Sequence, residues 1–373
     1  MSGAVGETAL RVARALPQPE LVRAVLVRAT NWVGDALLST PAVAAVRRAF
    51  PAAHVVVLAR PPVREVFAGS PDVDEVILAP ARSFGRGGAE SLALVHRLRQ
   101  RAFDLAVLLP NAFEAALVAW LARIPHRVGY ATDGRGPLLT VAVRRRAVLR
   151  GLPQVKYYLG LTDALGWPRA GERPRMPVGE TAEAEAAALL DGTAADRPRV
   201  ALNPGSTYGT AKRWAAERYA ALADALRERE GVGIVLVGAP GDREASQAVR
   251  EAMRGPALDL TGRTGLQTLA ACLRRMACLV TNDTGGMHVA AAVGTPVVAI
   301  FGPTDPRTTA PVGVEHRLVR HPVSCSPCLL RECPIDHRCM TGISVARVAG
   351  EVRALLRADL RLSISDCRLR EGR

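Results

Sequence analysis

The sequence predicts an α/β fold of two open parallel sheets facing a central cleft, and three observations carry that prediction. Short runs rich in β-branched residues recur along the 373-residue chain, segments of helical periodicity lie between them, and the alternation stops and restarts near the middle. Strands separated by helices are joined by crossovers, which makes neighbours parallel and covers the sheet on both faces. A chain of this length also exceeds what one compact core accommodates, so the restart reads as a second domain.

The first alternation holds the runs "AVLVRA" (24–29), "HVVVLA" (54–59), "EVILA" (75–79) and "DLAVLL" (104–109). Helical patterns, "DALLSTPAVAAVRRAF" (35–50) and "ESLALVHRLRQR" (90–101), lie among them. A loop over 129–139 then leads to a basic strand, "VAVRRRAVLR" (141–150). From about Trp167 to Pro198 the composition shifts to Pro, Gly, Glu and Ala, which marks the domain boundary. Alternation resumes with "RVALNPGS" (199–206), helix 214–230, "GIVLVGAPG" (233–241), helix 242–253 and helix 266–276. It ends with "CLVTND" (278–283), helix 286–293 and "PVVAIFG" (296–302), and "SVARVAGEVRALLRADL" (344–360) reads as an amphipathic helix. The predicted segments are an N-terminal extension over 1–20, a first domain over 21–175, a second over 176–345, and a C-terminal helix and tail over 346–373.

Composition narrows the function classes. Hydrophobic residues make up 49% of the chain, which excludes global disorder, and no uninterrupted apolar run is long enough to span a bilayer. The first twenty residues make a poor signal peptide, so a cytoplasmic location is expected. Residues 1–178 carry 24 Lys and Arg against 13 Asp and Glu, whereas the remainder carries 25 against 22. A basic first half implies an acidic partner: a phosphorylated substrate, an anionic membrane surface or nucleic acid. Nucleic acid is disfavoured because aromatics, the usual stacking platforms, are only 4% of the chain. Neither G-x-G-x-x-G nor a Walker P-loop follows a first strand, which disfavours dehydrogenases and P-loop NTPases.

Several strands end in polar, glycine-bearing turns of the kind that hold ligands in parallel sheets. In "NPGSTYGTAKRW" (203–214), Ser206 and Thr207 offer hydroxyls, Gly205 and Gly209 permit close backbone approach, and Lys212 offers a point charge. That set suits a diphosphate. Only Lys156 and Lys212 are lysines in a chain that otherwise uses arginine, and a compact ammonium at 212 fits a phosphate ligand. In "NDTGGMHV" (282–289), Asp283, Thr284, Gly285 and Gly286 lead into a helix whose first amides attract phosphate, with His288 one turn in. Asp283 is equally suited to cap that helix. Asp242 or Glu244 in "GAPGDRE" (238–244) can bind a ribose, or simply start a helix. Thr304 and Asp305 in "GPTDP" form another turn facing the cleft or serve as plain turn chemistry. Asp35 in "RATNWVGDALLSTPA" (28–42) sits where the first strand passes into a helix, as a general base or as a helix cap.

Taken together, "TNWVGDALLSTPAV", "NPGSTYGTAKRW" and "NDTGGMHVAAAVGTPVVAIFGPTDP" resemble the ADP-heptose:lipopolysaccharide heptosyltransferases of glycosyltransferase family 9, most of all the heptosyltransferase II branch. The resemblance spans about residues 22–345. It implies a GT-B fold of two Rossmann-like domains, the first binding acceptor and the second ADP-sugar, and an inverting, metal-independent transfer. The implied donor is ADP-heptose. The implied acceptor is the anionic heptosyl-Kdo-lipid A inner core, reached by peripheral contact at the cytoplasmic face of the inner membrane, with no nucleic acid. By resemblance Asp35 is the base; Ser206, Thr207, Lys212, Asp242 (or Glu244), Asp283, Thr284, Gly285, Gly286 and His288 bind donor. Asn31, Trp32 and Lys156 are placed toward the acceptor. Alternatives are another nucleotide sugar, or the acceptors of the type I and type III enzymes.

Four of the seven cysteines fall in "CSPCLLRECPIDHRC". The spacing of Cys325, Cys328, Cys333 and Cys339 is compatible with a structural zinc, or with reduced, packed thiols. No other metal or cofactor is expected.

Overall fold

The computed structural model describes residues 10–80, 88–144, 151–191 and 197–357, which divide into two compact units between Pro177 and Val178. The first unit contains β1 (Leu10–Val12), β2 (Ala24–Arg28), β3 (His54–Ala59), β4 (Glu75–Leu78), β5 (Leu105–Leu108), β6 (His126–Tyr130) and β7 (Val141–Val143). These form one sheet in the order β1-β7-β6-β5-β2-β3-β4, parallel except where β1 pairs antiparallel with β7. Its helices are α1 (Val33–Ala49), α2 (Pro61–Phe67), α3 (Gly88–Gln100), α4 (Phe113–Leu121) and α5 (Gln154–Asp163).

The second unit holds α6 (Glu180–Leu190), β8 (Arg199–Asn203), α7 (Ala216–Glu230), β9 (Gly233–Leu236), α8 (Arg243–Ala252) and β10 (Leu258–Asp259). It continues with α9 (Leu266–Arg274), β11 (Cys278–Asn282), α10 (Gly285–Val293), β12 (Val297–Phe301) and β13 (His316–Arg320), and a last helix covers residues 345–357. The sheet order is β10-β9-β8-β11-β12-β13, parallel throughout. Both units therefore follow the 3-2-1-4-5-6 strand order of nucleotide-binding sheets. The order reverses between β2 and β5 in the first unit and between β8 and β11 in the second. Loops leaving the carboxyl ends of those two strand pairs diverge and open a crevice.

The central strands are buried on both faces, which explains their unbroken apolar character: Val55, Val56 and Val57 in β3, and Val297 through Phe301 in β12, are all buried. Leu26, Val56, Leu94, Leu98 and Leu108 join one face of the first sheet to α3 and its neighbours. In the second unit Leu202, Trp214, Tyr219 and Val280 pack together with Val348, Val352 and Leu355 of the last helix.

The structure corrects the sequence reading in four places. Part of the extension over 1–20 is built into the sheet as β1, because its backbone pairs with an edge strand although its side chains are exposed. The expected loop over 129–139 begins inside a strand, β6, paired on both sides. Gly129 belongs there because a Cβ would stand 3.3 Å from the Leu108 carbonyl and 3.2 Å from the buried Arg135 guanidinium. Within the Pro/Gly/Glu/Ala stretch lies α6, which buries Ala182, Ala186 and Leu190 and packs on α9. Of the basic strand expected over 141–150, Val141–Val143 form β7, and residues 145–150 lie outside the described residues. The C-terminal helix set apart at 346 is a structural part of the second unit's core. Among the described residues no helix is long and apolar enough to cross a membrane.

Candidate functional site

The second unit's switch point gathers most of the predicted donor residues. After β8 the chain runs through Gly205 and Ser206 to a short 3-10 turn, Thr210–Lys212, and after β11 it turns at Asp283-Thr284 into α10. Asn282, which ends β11, ties these loops together. Its Nδ2 donates to the carbonyls of Pro204 (2.8 Å) and Gly205 (3.1 Å), while its Oδ1 accepts from the Trp214 amide and the Tyr219 hydroxyl, both at 3.1 Å. Sequence reading passed over Asn282 as the end of an apolar run. A buried amide at such a position is the signal that marks it.

Lys212 reaches across this tie. Its Nζ stands 2.7 Å from Asp283 Oδ2 and 3.3 Å from the Asp283 carbonyl, and 4.7 Å from the centre of the Tyr208 ring. Asp283 is thus spent on Lys212, and α10 starts at Thr284 with no side-chain cap. The start of the helix, with its positive dipole end, carries no side-chain cap and follows directly on the residue that holds the Lys212 ammonium, an arrangement that suits an anion.

Four buried side-chain atoms near these turns have no hydrogen-bond partner: Asn203 Oδ1, Ser206 Oγ, His288 Nδ1 and Thr304 Oγ1. Buried polar atoms are seldom left unpaired, and these four gather at the ends of β8 and β12 and in the first turn of α10, the places from which loops leave the sheet. Burial lowers the His288 pKa to about 4, with Lys212 adding to the effect and Asp283 opposing it. His288 is therefore neutral at physiological pH and offers one donor and one acceptor, as sugar or phosphate recognition needs.

Asp242 is buried and its Oδ2 accepts from the Ala239 amide at 2.9 Å, so it shapes the turn before α8. It also lies against Gly205: a Cβ at Gly205 would overlap the Asp242 carboxylate. We expect Gly205→Ala to push this carboxylate and the phosphate loop apart, lowering stability by about 1–3 kcal/mol and weakening nucleotide binding. Thermal unfolding and ADP titration check both. Thr207 and Glu244 are exposed, and Asp305 caps the next helix by accepting from the Arg307 amide at 3.0 Å. The structure therefore assigns Asp305 to turn chemistry.

The cysteine segment packs directly on the loop after β8. The Tyr208 hydroxyl donates to the Leu329 carbonyl (2.8 Å), the Ala211 amide to the Arg331 carbonyl (2.9 Å), and His337 Nε2 to the Ala211 carbonyl (2.6 Å). The Arg331 guanidinium lies 5.2 Å from the Tyr208 ring centre. Cys325, Cys328 and Cys333 are exposed, Cys339 is buried, and all four line one cavity beside Ala211 and Pro303. Among the described residues no group of three or more His, Cys, Asp or Glu side chains is arranged to hold a metal ion. Tyr208 and Arg331 are site-forming residues that sequence reasoning missed, since only folding brings their segments together.

In the first unit Asp35 stands in the first turn of α1, after β2, at that sheet's own switch point. Its carboxyl pKa is raised by burial, and a hydrogen bond from Tyr158 of α5 works against that rise. The helix is not capped by Asp35, so its side chain is available for chemistry. Asn31 accepts from Arg28 Nη2 at 2.8 Å, and both line a cavity with Arg60, Pro110 and Glu114 at the carboxyl ends of the strands. Burial and the neighbouring Arg60 lower the Arg28 pKa to about 10, with Glu114 opposing them. Trp32 is 63% exposed and Lys156 is exposed on α5, so both are surface groups of the first unit.

Comparison with known proteins identifies the family and the fold. The family model described as glycosyltransferase family 9 (heptosyltransferase) matches residues 91–338. Lipopolysaccharide heptosyltransferase 2 of Salmonella typhimurium is 33% identical over 307 residues, covering 79% of this chain and 87% of the relative. The solved structure of E. coli ADP-heptose lps heptosyltransferase II superposes with a TM-score of 0.76 at 30% identity, covering 90% of this chain and 99% of that one. A family 9 glycosyl transferase from Veillonella parvula gives a TM-score of 0.80 at 24% identity, covering 90% and 98%, and shares the fold.

Proposed function

Because the chain belongs to glycosyltransferase family 9, the heptosyltransferases, we propose that it transfers L-glycero-D-manno-heptose from ADP-heptose to heptosyl-Kdo-lipid A, the inner core of lipopolysaccharide. The observation that carries this reading is the diphosphate-type site of the second unit. An ammonium held by a carboxylate, an uncapped helix start and a set of unpaired buried polar atoms meet at one switch point. The names of the relatives that cover most of the chain give ADP-heptose and lipopolysaccharide, which support this donor and this class of acceptor.

In this reading Asp35 takes the proton of the acceptor hydroxyl as its oxygen attacks the anomeric carbon. The new glycosidic C–O bond forms while the bond from that carbon to phosphate breaks, and ADP leaves with the electron pair. Attack opposite the leaving group inverts the anomeric configuration. Negative charge growing on ADP is met by Lys212, by Ser206, and by the first amides of α10, fixed donors that act most strongly where water is excluded. They fill the role a divalent ion has in other glycosyltransferases, so the transfer is proposed to need no metal. We expect purified enzyme treated with EDTA to keep its rate; loss of activity restored by a divalent ion would overturn that point.

The Arg-rich first unit, with Asn31, Trp32 and Lys156, is proposed to take the anionic acceptor, and the excess of basic residues to favour peripheral contact with an anionic membrane. The deciding experiment offers ADP-heptose with acceptors that do or do not carry the first heptose. Transfer only to the heptose-bearing acceptor is expected. Transfer to the bare Kdo acceptor would make it a type I enzyme, and turnover of UDP-sugars instead would point to a different donor.

A further inference from the structure

Helix α4 is apolar on every side and yet lies at the surface. Of its residues, Phe113–Leu121, only Glu114 is polar. Ala116, Val118 and Ala119 are buried in the cluster that also holds Leu94 and Leu98 of α3. Phe113, Leu117 and Trp120, at positions i, i+4 and i+7, form the opposite stripe. Phe113 is 46% exposed and Trp120 49%, and Leu117 is half-buried. A helix that meets water on its outer face carries polar residues there, and α4 puts a row of large apolar ones in that place.

Arginines frame this stripe. Arg99 of α3 donates from Nη2 to the Leu121 carbonyl at 2.6 Å, which sets a cation beside Trp120 at the end of α4. Arg123 follows α4 and is exposed, and Arg97 donates to the Leu78 carbonyl at 2.9 Å. A carbonyl does not cancel the charge it binds, whereas Arg101 is paired with Glu75 at 2.8 Å. The carboxylates on the two helices, Glu90 and Glu114, stand in their first turns, away from the arginines of the last turns.

We infer that the outer stripe of α4, framed by Arg97, Arg99 and Arg123, is the surface on which this protein rests on an anionic lipid bilayer. This deepens the reading of a lipid-borne acceptor and rests on it. Phe113, Leu117 and Trp120 enter the headgroup region, where aromatic rings are favoured, and the guanidinium groups meet lipid phosphates. Charge decides between occupants. A second copy docked face to face would set these arginines against the same arginines, and like charges in apposition oppose the contact. Because α4 starts after β5, one of the two strands that flank the switch point, the same helix links the docking surface to the crevice proposed for the acceptor.

The test uses the full-length protein without donor or acceptor, sedimented with vesicles of phosphatidylcholine alone or mixed with phosphatidylglycerol. Wild type binds the mixed vesicles, and less as salt is added. Phe113→Ser and Trp120→Ser each lower the partition onto mixed vesicles roughly tenfold, and Arg123→Gln lowers it about fivefold. Trp120→Phe, which keeps an apolar ring, retains most of the binding, and Trp120→Ser still glycosylates a deacylated, water-soluble acceptor at the wild-type rate. Binding by both serine variants equal to wild type, or no binding of mixed vesicles by the wild type, overturns the assignment. A dimer in analytical ultracentrifugation that the serine variants dissociate also overturns it, since the stripe then belongs to a second copy. Vesicle binding is read without substrates, so a failure of heptosyl transfer overturns the proposed activity alone.

Discussion

Replacing Asp35 by asparagine lowers turnover by about 10²- to 10⁴-fold, the range a positioned general base contributes, while ADP affinity is unchanged. Asparagine keeps the shape but has no basic oxygen. Lys212, Asp283 and His288, proposed to hold the donor, belong to the second unit, so a loss confined to turnover separates chemistry from binding. Initial rates beside ADP calorimetry measure both. The wild-type pH dependence follows from the same residue. A base works ionised, and burial raises the Asp35 pKa, so activity is lost on acidification at a higher pH than an ordinary aspartate would give. Undiminished transfer by the variant would remove Asp35 from the mechanism.

Lys212→Ala has the second largest effect, and it falls on the donor. Losing a charge-assisted bond to phosphate costs about 1.5–3 kcal/mol, or roughly 10- to 100-fold in Kd for ADP. The same change leaves Asp283 buried without its 2.7 Å partner, so the protein also loses stability. Combining Lys212→Ala with Asp283→Asn removes the stranded carboxylate: part of the lost thermal stability returns, and ADP still binds weakly. An ADP affinity equal to wild type in Lys212→Ala would exclude the lysine as a phosphate ligand.

The positions most legible in the sequence were those where chemistry and local backbone demand the same residue. Lys212 stood out because the chain has so few lysines, and the glycine-bearing turn after "CLVTN" announced a helix start beside a ligand. Asp283 had two readings, cap or ligand-site carboxylate. The pairing with Lys212 leaves the helix without an Asp283 cap, and a separation of 71 positions puts that pairing out of reach of local pattern. Asp242 and Glu244 were interchangeable by spacing; burial separates them, one beneath the phosphate loop and the other in solvent. Asn282, Tyr208 and Arg331 carried no signal, since an amide ending a strand or a tyrosine in a loop reads as packing until its partner is known.

By itself the sequence determined the α/β class, the restart near the middle, and the turns that bear the polar groups. Those features depend on periodicity and on local backbone preference, which neighbouring residues set. Tertiary structure decided the strand order, and with it which turns flank a switch point. It also decided which side chains are spent on one another and which are left for a ligand. The physical reason is that parallel strands pair across crossovers, so the groups that meet at their ends come from segments whose contact is settled only when the whole sheet closes around its core.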